Sequence, residues 1–270
     1  MYETGLGAMF RLAWHSRTLI LSLTRRDIEQ RYRGSAIGLL WSLVNPLLML
    51  GIYTFVFSAI FKMRWAVLSD NPFDFALMLF SGLMLFNFFS ECVSRAASLI
   101  VGNPNLVKKI VFPLHVQAWT VVGAGLFQAA VSLGVLLVAL LVIRGGVPWT
   151  VVLLPLVLAP LCLLVLGSVW LVSALGVFIR DVGQIVGHVL TMMMFLSPLF
   201  YPIEAIPKKF QWLFYLNPLT FLVNEARKVL VIGTTPDWAG LAAYSLLALM
   251  ATWVGFWFFQ RARPGFSDVI

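Results

Sequence analysis

Charge is scarce in this chain, cysteine is nearly absent, and a phosphate-binding loop is missing altogether. Charged residues are 11% of the 270 and apolar residues 61%, whereas a soluble domain carries about 25% charged residues. A water-soluble globular fold is therefore excluded. The two cysteines, Cys92 and Cys162, stand alone in apolar contexts. That excludes a disulfide framework and a thiolate metal site, and both read as small buried side chains. No Gly-x-x-x-x-Gly-Lys-Ser/Thr run occurs, so the chain is not expected to bind and hydrolyse ATP in the usual way. His15, His115 and His188 are far apart, and no Ser/His/Asp arrangement or metal-ligand spacing accompanies them. Catalysis by this chain, a cofactor within it and a metal site are all unexpected.

What is present is a succession of long apolar runs, each sufficient to cross about 30 Å of hydrocarbon. Six spans are expected, at 36–61, 75–99, 114–143, 149–178, 184–200 and 238–259. The fold class is all-α integral membrane. The chain reads as one domain over 1–270: an interface segment 1–35, the spans over 36–259 and a tail 260–270. No signal-peptide pattern is expected, because the first long apolar run comes after a segment dense in charge.

The net charge of +8 raises nucleic acid as a partner. The Lys and Arg residues instead cluster at span ends, which membrane insertion and anionic headgroups favour, so no nucleic acid is expected. With six spans, Arg11, Arg17, Arg25, Arg26, Arg31, Arg33, Arg95, Lys108, Lys109, Arg180, Arg261 and Arg263 fall on one side. Lys62, Arg64, Arg144, Lys208, Lys209, Arg227 and Lys228 fall on the other. The larger group marks the cytoplasmic side and places both termini there.

Residues 6–24 carry apolar side chains at helical spacing with Arg11 and Arg17 on the remaining face. This fits an amphipathic helix in the membrane interface, and equally an anchor of no further role. From Arg25 to Gly34 the charges alternate in sign. These arginines serve as a positive-inside anchor. Arg31, Tyr32 and Arg33 additionally suit a phosphate-bearing lipid headgroup at the mouth of the membrane, since guanidinium groups donate paired hydrogen bonds to phosphate. Between the second and third spans, Gly102 and Pro104 end one helix, and Asn103 or Asn105 can cap a short next one. That helix presents Leu106 and Ile110 on one face with Lys108 and Lys109 beside them. It reads as an element that slots into a partner, or as a tight connection.

Polar and aromatic residues recur at helical spacing within the spans: Asn45 and Tyr53 in the first, Gln128 in the third, and His188, Thr191 and Phe195 in the fifth. Hydrogen bonding between helices explains many such groups. Amides, hydroxyls and aromatics nearly free of charge also suit a path for sugars. Glu91, the acidic residue within a predicted span, is expected to pair with Arg95 four residues on. After the fifth span come Ser197-Pro198-Leu199-Phe200-Tyr201-Pro202 and later Asn217-Pro218-Leu219-Thr220. Pro-broken backbone at membrane depth persists only when buried in protein or lining a cavity.

Four motifs in order resemble one family. They are Asp27 to Ser35 continuing through Leu39-Leu40-Trp41-Ser42-Leu43-Val44-Asn45-Pro46, then Asn103 to Lys109 with Phe112-Pro113, Ser197 to Pro202, and Asn217 to Thr220. Together they resemble the permeases of ABC-2-type transporters, in the branch that exports lipid-linked polysaccharides such as O-antigen, capsule and teichoic acid. The resemblance implies a homodimer, and two copies of a separate ATPase that bind ATP and Mg. It implies coupling to that ATPase through Asn105, Leu106, Lys108, Lys109 and Ile110. It also implies two short re-entrant helices on the outer side, around Pro198, Tyr201, Pro202, Asn217 and Pro218. The substrate expected is a polyprenyl-pyrophosphate-linked glycan. It would be admitted at Arg31, Tyr32 and Arg33 and would pass Trp41, Asn45, Tyr53, Gln128, His188, Thr191 and Phe195 across a bacterial cytoplasmic membrane. An exporter of drugs or small lipids is the alternative within the family. A membrane enzyme acting on lipid-linked sugars is an alternative outside it.

Overall fold

Apolar on nearly every side, the stretch from Phe73 to Ala96 must be wrapped by other helices, and it is. A computed structural model describes residues 4–60, 73–108, 112–201, 203 and 206–269, and among these the chain is all helical. Two helices precede the first apolar run: α1 (Leu6–His15) and α2 (Arg17–Arg31). Then come α3 (Trp41–Tyr53), with a π-helical continuation Thr54–Ile60, and the central α4 (Phe73–Ala96). Next are the short α5 (Pro104–Lys108), α6 (Val116–Arg144), α7 (Leu154–Phe178) and α8 (Val182–Phe195). The chain closes with α9 (Lys208–Tyr215), α10 (Pro218–Arg227), α11 (Trp238–Ala262) and α12 (Phe266–Val269). Helix α4 packs against α3, α6, α7, α8 and α10.

Five stretches have the length and apolarity to cross a membrane: Gly38–Phe57, Phe73–Ala96, Val116–Arg144, Trp149–Phe178 and Trp238–Val269. The predicted fifth span, 184–200, is shorter as a helix. Its 14 residues cover about 21 Å at 1.5 Å per residue. Pro198 explains the stop, since proline has no N–H to donate and disfavours helical backbone at the residue before it. The predicted N-terminal helix over 6–24 is also divided, with a break at Ser16. The second piece runs on to Arg31, and Gly34 (φ +87°) turns the chain toward α3.

Close backbone contact holds α7 against α11. A Cβ on Gly255 would lie 2.2 Å from the Gly167 carbonyl oxygen, and Thr252 donates to Leu163 O at 2.6 Å. Small residues allow this approach where no hydrophobic effect drives helices together. Gly255→Ala must part the two helices. It is expected to cost about 1–3 kcal/mol, the range for overpacking a tight site, read as a lower unfolding midpoint of the purified protein. An unchanged midpoint would mean that this crossing is loose.

Alternate helix ends collect on two faces. On one, Arg263 donates to Phe112 O at 3.0 Å, Phe178 packs on Phe266, and Gly176 sits against Ala97. On the other, Arg144 bonds Val231 O, Thr150 donates to Val229 O at 2.7 Å, and Tyr244 donates to Pro218 O at 2.7 Å.

Candidate functional site

Helix α2 packs against α6, and its side chains reach the end of α4, which runs in the opposite sense, to form a two-rung ladder of charges. Arg95 Nη2 donates to both carboxylate oxygens of Asp27, at 2.6 and 2.8 Å. One turn along, Arg31 Nη2 meets Glu91 Oε1 at 2.6 Å. The expected Glu91–Arg95 pair within α4 is therefore corrected. Asp27 and Arg31 are four apart on α2, as Glu91 and Arg95 are on α4, so the opposite sense of the two helices matches each charge to its opposite across them. These cross-helix contacts take both residues.

Beside the second rung, Tyr32 Oη donates to Gln128 Oε1 at 3.0 Å, and Gln128 Nε2 donates to Ser42 O at 3.0 Å. One hydrogen-bonded chain thus joins the end of α2 to α6 and α3. Behind it lies a cavity of about 460 Å³ between α3, α4 and α6. Its wall includes Arg31, Tyr32, Asn45, Tyr53, Glu91 and Gln128. Two residues of the basic entry motif and three of the in-span polar residues, from separate motifs, share this space. Asn87 and Ser132 also line it.

The remaining sequence-predicted residues lie elsewhere. Arg33 and Trp41 are exposed and outside that cavity lining. His188, Thr191 and Phe195 are exposed along α8. Thr191 lines a second, more open hollow between α4 and α8, where Ser90 and Glu91 recur. Glu91 therefore stands on the wall between the two spaces.

The short helix α5 presents an exposed Asn105 and a half-buried Leu106. Asn103, a predicted cap, instead donates its side chain back to Leu99 O at 3.0 Å. A polar groove of about 370 Å³ runs between α5 and α2, lined by Arg26, Asp27, Asn105 and Leu106 among others. Lys109, Ile110 and Pro202, and the side chain of Lys108, lie outside the described residues.

On the opposite face, Asn217 closes one helix and opens another. Its amide donates to Met193 O at 2.7 Å and Leu196 O at 3.2 Å, ending α8, while its oxygen accepts from Leu219 N at 3.0 Å. Pro218 occupies the first helical position, where its missing N–H costs nothing. Tyr201 Oη donates to Phe195 O at 2.6 Å, and burial raises the Tyr201 hydroxyl above the usual tyrosine range, so it stays a neutral donor. Pro198 is buried, and its carbonyl accepts from Arg227.

Arg227 and Glu225 are missed by sequence reasoning, which counts Arg227 only among the outer-side cations and gives Glu225 no role. Arg227 is 2% exposed and donates to Pro198 O, Leu199 O and Met78 O at 2.5, 2.8 and 3.1 Å. Glu225, equally buried, accepts from Lys228 Nζ at 2.7 Å and from Asp237 N at 2.8 Å. One signal was available. Arg227 stands four residues after Val223 and four before Val231, on the apolar stripe of an amphipathic helix, where a solvated arginine has no place. Asp74, paired with Arg144 at 2.8 Å, escapes notice because the predicted second span begins one residue later, at 75.

Comparison with known proteins places these residues in a wider setting. The family model described as ABC-2 type transporter matches residues 18–231. The chain is 28% identical over 264 residues to the O-antigen export system permease protein RfbA of Myxococcus xanthus, covering 97% of this chain and 99% of that protein. It is 25% identical over 257 residues to the Klebsiella pneumoniae protein of the same name, covering 93% and 95%. It is 22% identical over 249 residues to the polysialic acid transport protein KpsM of Escherichia coli, covering 88% and 91%.

Proposed function

The chain belongs to the ABC-2 type transporter family, and from that premise we propose that it is the membrane subunit of an ATP-driven exporter of a lipid-linked polysaccharide of O-antigen type. It is a transport subunit; ATP and Mg are assigned to a separate ATPase, present in two copies. One observation carries the reading beyond the family. Arg31 and Tyr32, suited to a phosphate headgroup, open onto the same cavity as Asn45, Tyr53 and Gln128, whose wall is completed by apolar side chains such as Phe80, Leu83 and Met84. An anionic lipid anchor needs a basic mouth, and the amide and hydroxyl groups beside it can hydrogen-bond the remaining oxygens of such a headgroup.

A cavity of about 460 Å³ suits a headgroup and not a glycan chain. The glycan's path is assigned to the face between two copies. His188, Thr191, Trp41 and Phe195 are exposed there in one copy, and polar side chains facing lipid at membrane depth are costly. A second copy covers them and leaves a lumen. Helix α8 with the segment through Phe200 is assigned as the remaining crossing, fifth in chain order, because it leads from the face bearing α2 and α12 to the face bearing α9 and α10. The helices α9 and α10 are then the re-entrant pair on the outer side. Both termini lie in the cytoplasm, in the cytoplasmic membrane of a bacterium, as the distribution of Lys and Arg supports.

The exposed side of α5 is assigned as the ATPase contact, with Asn105 and Leu106 in it and Lys108, Lys109 and Ile110 next along the chain. Purified alone, the chain is expected to hydrolyse no ATP. Co-expressed with its ATPase, it should form an active complex and support surface display of the glycan. Leu106→Asp should reduce co-purification and export together, because an unpaired carboxylate in an apolar contact costs several kcal/mol. A complex indifferent to Leu106→Asp would remove α5 as the docking element. Export of glycan without any ATPase would overturn the assignment.

A further inference from the structure

Arg31 already holds an anion. Its partner Glu91 sits 2.6 Å away, on the wall shared by the two hollows that flank α4. The side chains are 27% and 30% exposed, and the buried Oε1 of Glu91 makes no hydrogen bond among the described residues, so the pair is held by charge alone and partial solvation leaves it free to open. The backbone on the far side of Arg31 is built to turn, with Gly34 at φ +87° and Gly38 at φ +53°. Tyr32, the next residue, holds the same segment to α6 through Gln128.

We propose that Glu91 is a specificity-determining residue: an internal carboxylate that occupies Arg31 until a headgroup carrying more than one negative charge displaces it. The proposal rests on the reading of Arg31 as part of the admission site. A bacterial membrane presents many phosphodiester headgroups of single charge. An unoccupied guanidinium at headgroup depth would collect them. A carboxylate already in contact at 2.6 Å matches such a headgroup in charge and is tethered beside the arginine, so singly charged lipids gain nothing by replacing it. A terminal phosphate or pyrophosphate brings more charge and several acceptor oxygens, enough to engage the guanidinium in paired geometry. Glu91 released by that exchange still lines both hollows. Its freed charge then repels the incoming anion from the α4–α8 side and keeps it beside α2.

The test uses the complex with its ATPase in nanodiscs of zwitterionic lipid. Cys92 and Cys162 are replaced by alanine, and Asn45→Cys, on the cavity wall, reports occupancy through its rate of labelling by a water-soluble maleimide. With Glu91 present, polyprenyl pyrophosphate is expected to slow labelling and phosphatidylglycerol to leave it unchanged. In Glu91→Gln, phosphatidylglycerol should slow labelling as well. The gain in its apparent affinity should reach about fivefold, the upper end for losing one partly exposed pair. Glu91→Asp, which keeps the carboxylate, should restore discrimination, and this separates the role from a loss of packing. Inorganic pyrophosphate at the same concentration should protect less than the lipid. Equal protection would overturn the lipid headgroup as the ligand. Indifference of Glu91→Gln to phosphatidylglycerol, or protection of the Glu91 protein by that lipid, would overturn the proposal. The underlying reading fails separately. Full export by the Arg31→Ala, Arg33→Ala double variant removes the admission site itself. Lost export in that variant with discrimination unchanged in Glu91→Gln removes only the part played by Glu91.

Discussion

Replacing Arg31 and Arg33 together by alanine is expected to lower glycan export by roughly a hundredfold while the protein still inserts with the same topology. Each charge-assisted hydrogen bond to phosphate contributes about 1.5–3 kcal/mol, so losing one per arginine costs about a factor of ten each. The structural penalty is much smaller. Arg31 forfeits a partly exposed pair with Glu91, worth about 0.2–1 kcal/mol, while α2 keeps its Asp27–Arg95 rung. Lysine at both positions should keep the topology but return only part of the export, because an ammonium cannot form the paired contact. Surface glycan and protease access to the termini are measured on the same cells. Normal export in the alanine variant would reject these arginines as the admission site. Inverted termini would show that they chiefly set orientation.

The second large effect is expected at Arg227, and it is one of stability. Its guanidinium donates to the carbonyls of Pro198 and Leu199, which the broken end of α8 leaves without helical partners, and to Met78 in α4. Met78 O also accepts from Ser81 Oγ at 2.8 Å, so it is the least affected of the three. Gly82 lies directly beneath. A Cβ there would sit 3.0 Å from Arg227 Nη2, so glycine makes room for the guanidinium. Arg227→Met keeps much of the volume and removes the donors. With about 1–3 kcal/mol for each buried acceptor left unsatisfied, and the carbonyls of Pro198 and Leu199 chiefly affected, the loss is expected to be about 2–6 kcal/mol. It is read as a large fall in the unfolding midpoint in detergent. Arg227→Lys should recover only part, because one ammonium cannot serve three carbonyls in the plane of a fork. An unchanged midpoint in the methionine variant would mean that the segment after α8 is held by other contacts.

Some features were legible because they depend on the chain alone. The fourth predicted span, 149–178, coincides with Trp149–Phe178, and the second, 75–99, with most of Phe73–Ala96. Length and apolarity suffice to mark a helix that can cross hydrocarbon. The breaks at Pro198 and at Asn217-Pro218 were equally local, for proline's missing donor acts wherever the helix is packed. Asn217 as a cap before proline arises from the same local chemistry. Membership of the family rested on motif order, which is also a property of the sequence.

Partner choice among charges was not legible. Glu91 and Arg95 satisfy the one-turn spacing that favours pairing on an isolated helix, yet Arg31 and Asp27 reach across from α2 and take both. The apolar stripe around Arg227 hints at its burial, but the sequence does not say which three carbonyls receive it. A side chain's environment depends on which helices surround it, and those neighbours come from 28 to 149 positions away in the chain. By itself, then, the sequence determined an all-helical membrane protein, the places where its helices must break and the family to which it belongs. Only the tertiary structure decided that Arg31, Tyr32, Asn45 and Gln128 face one cavity with Glu91 in its wall. Hydropathy and proline act through the residue's own backbone and solvation, whereas an ion pair or a cavity exists only after distant segments have been rotated and packed against one another.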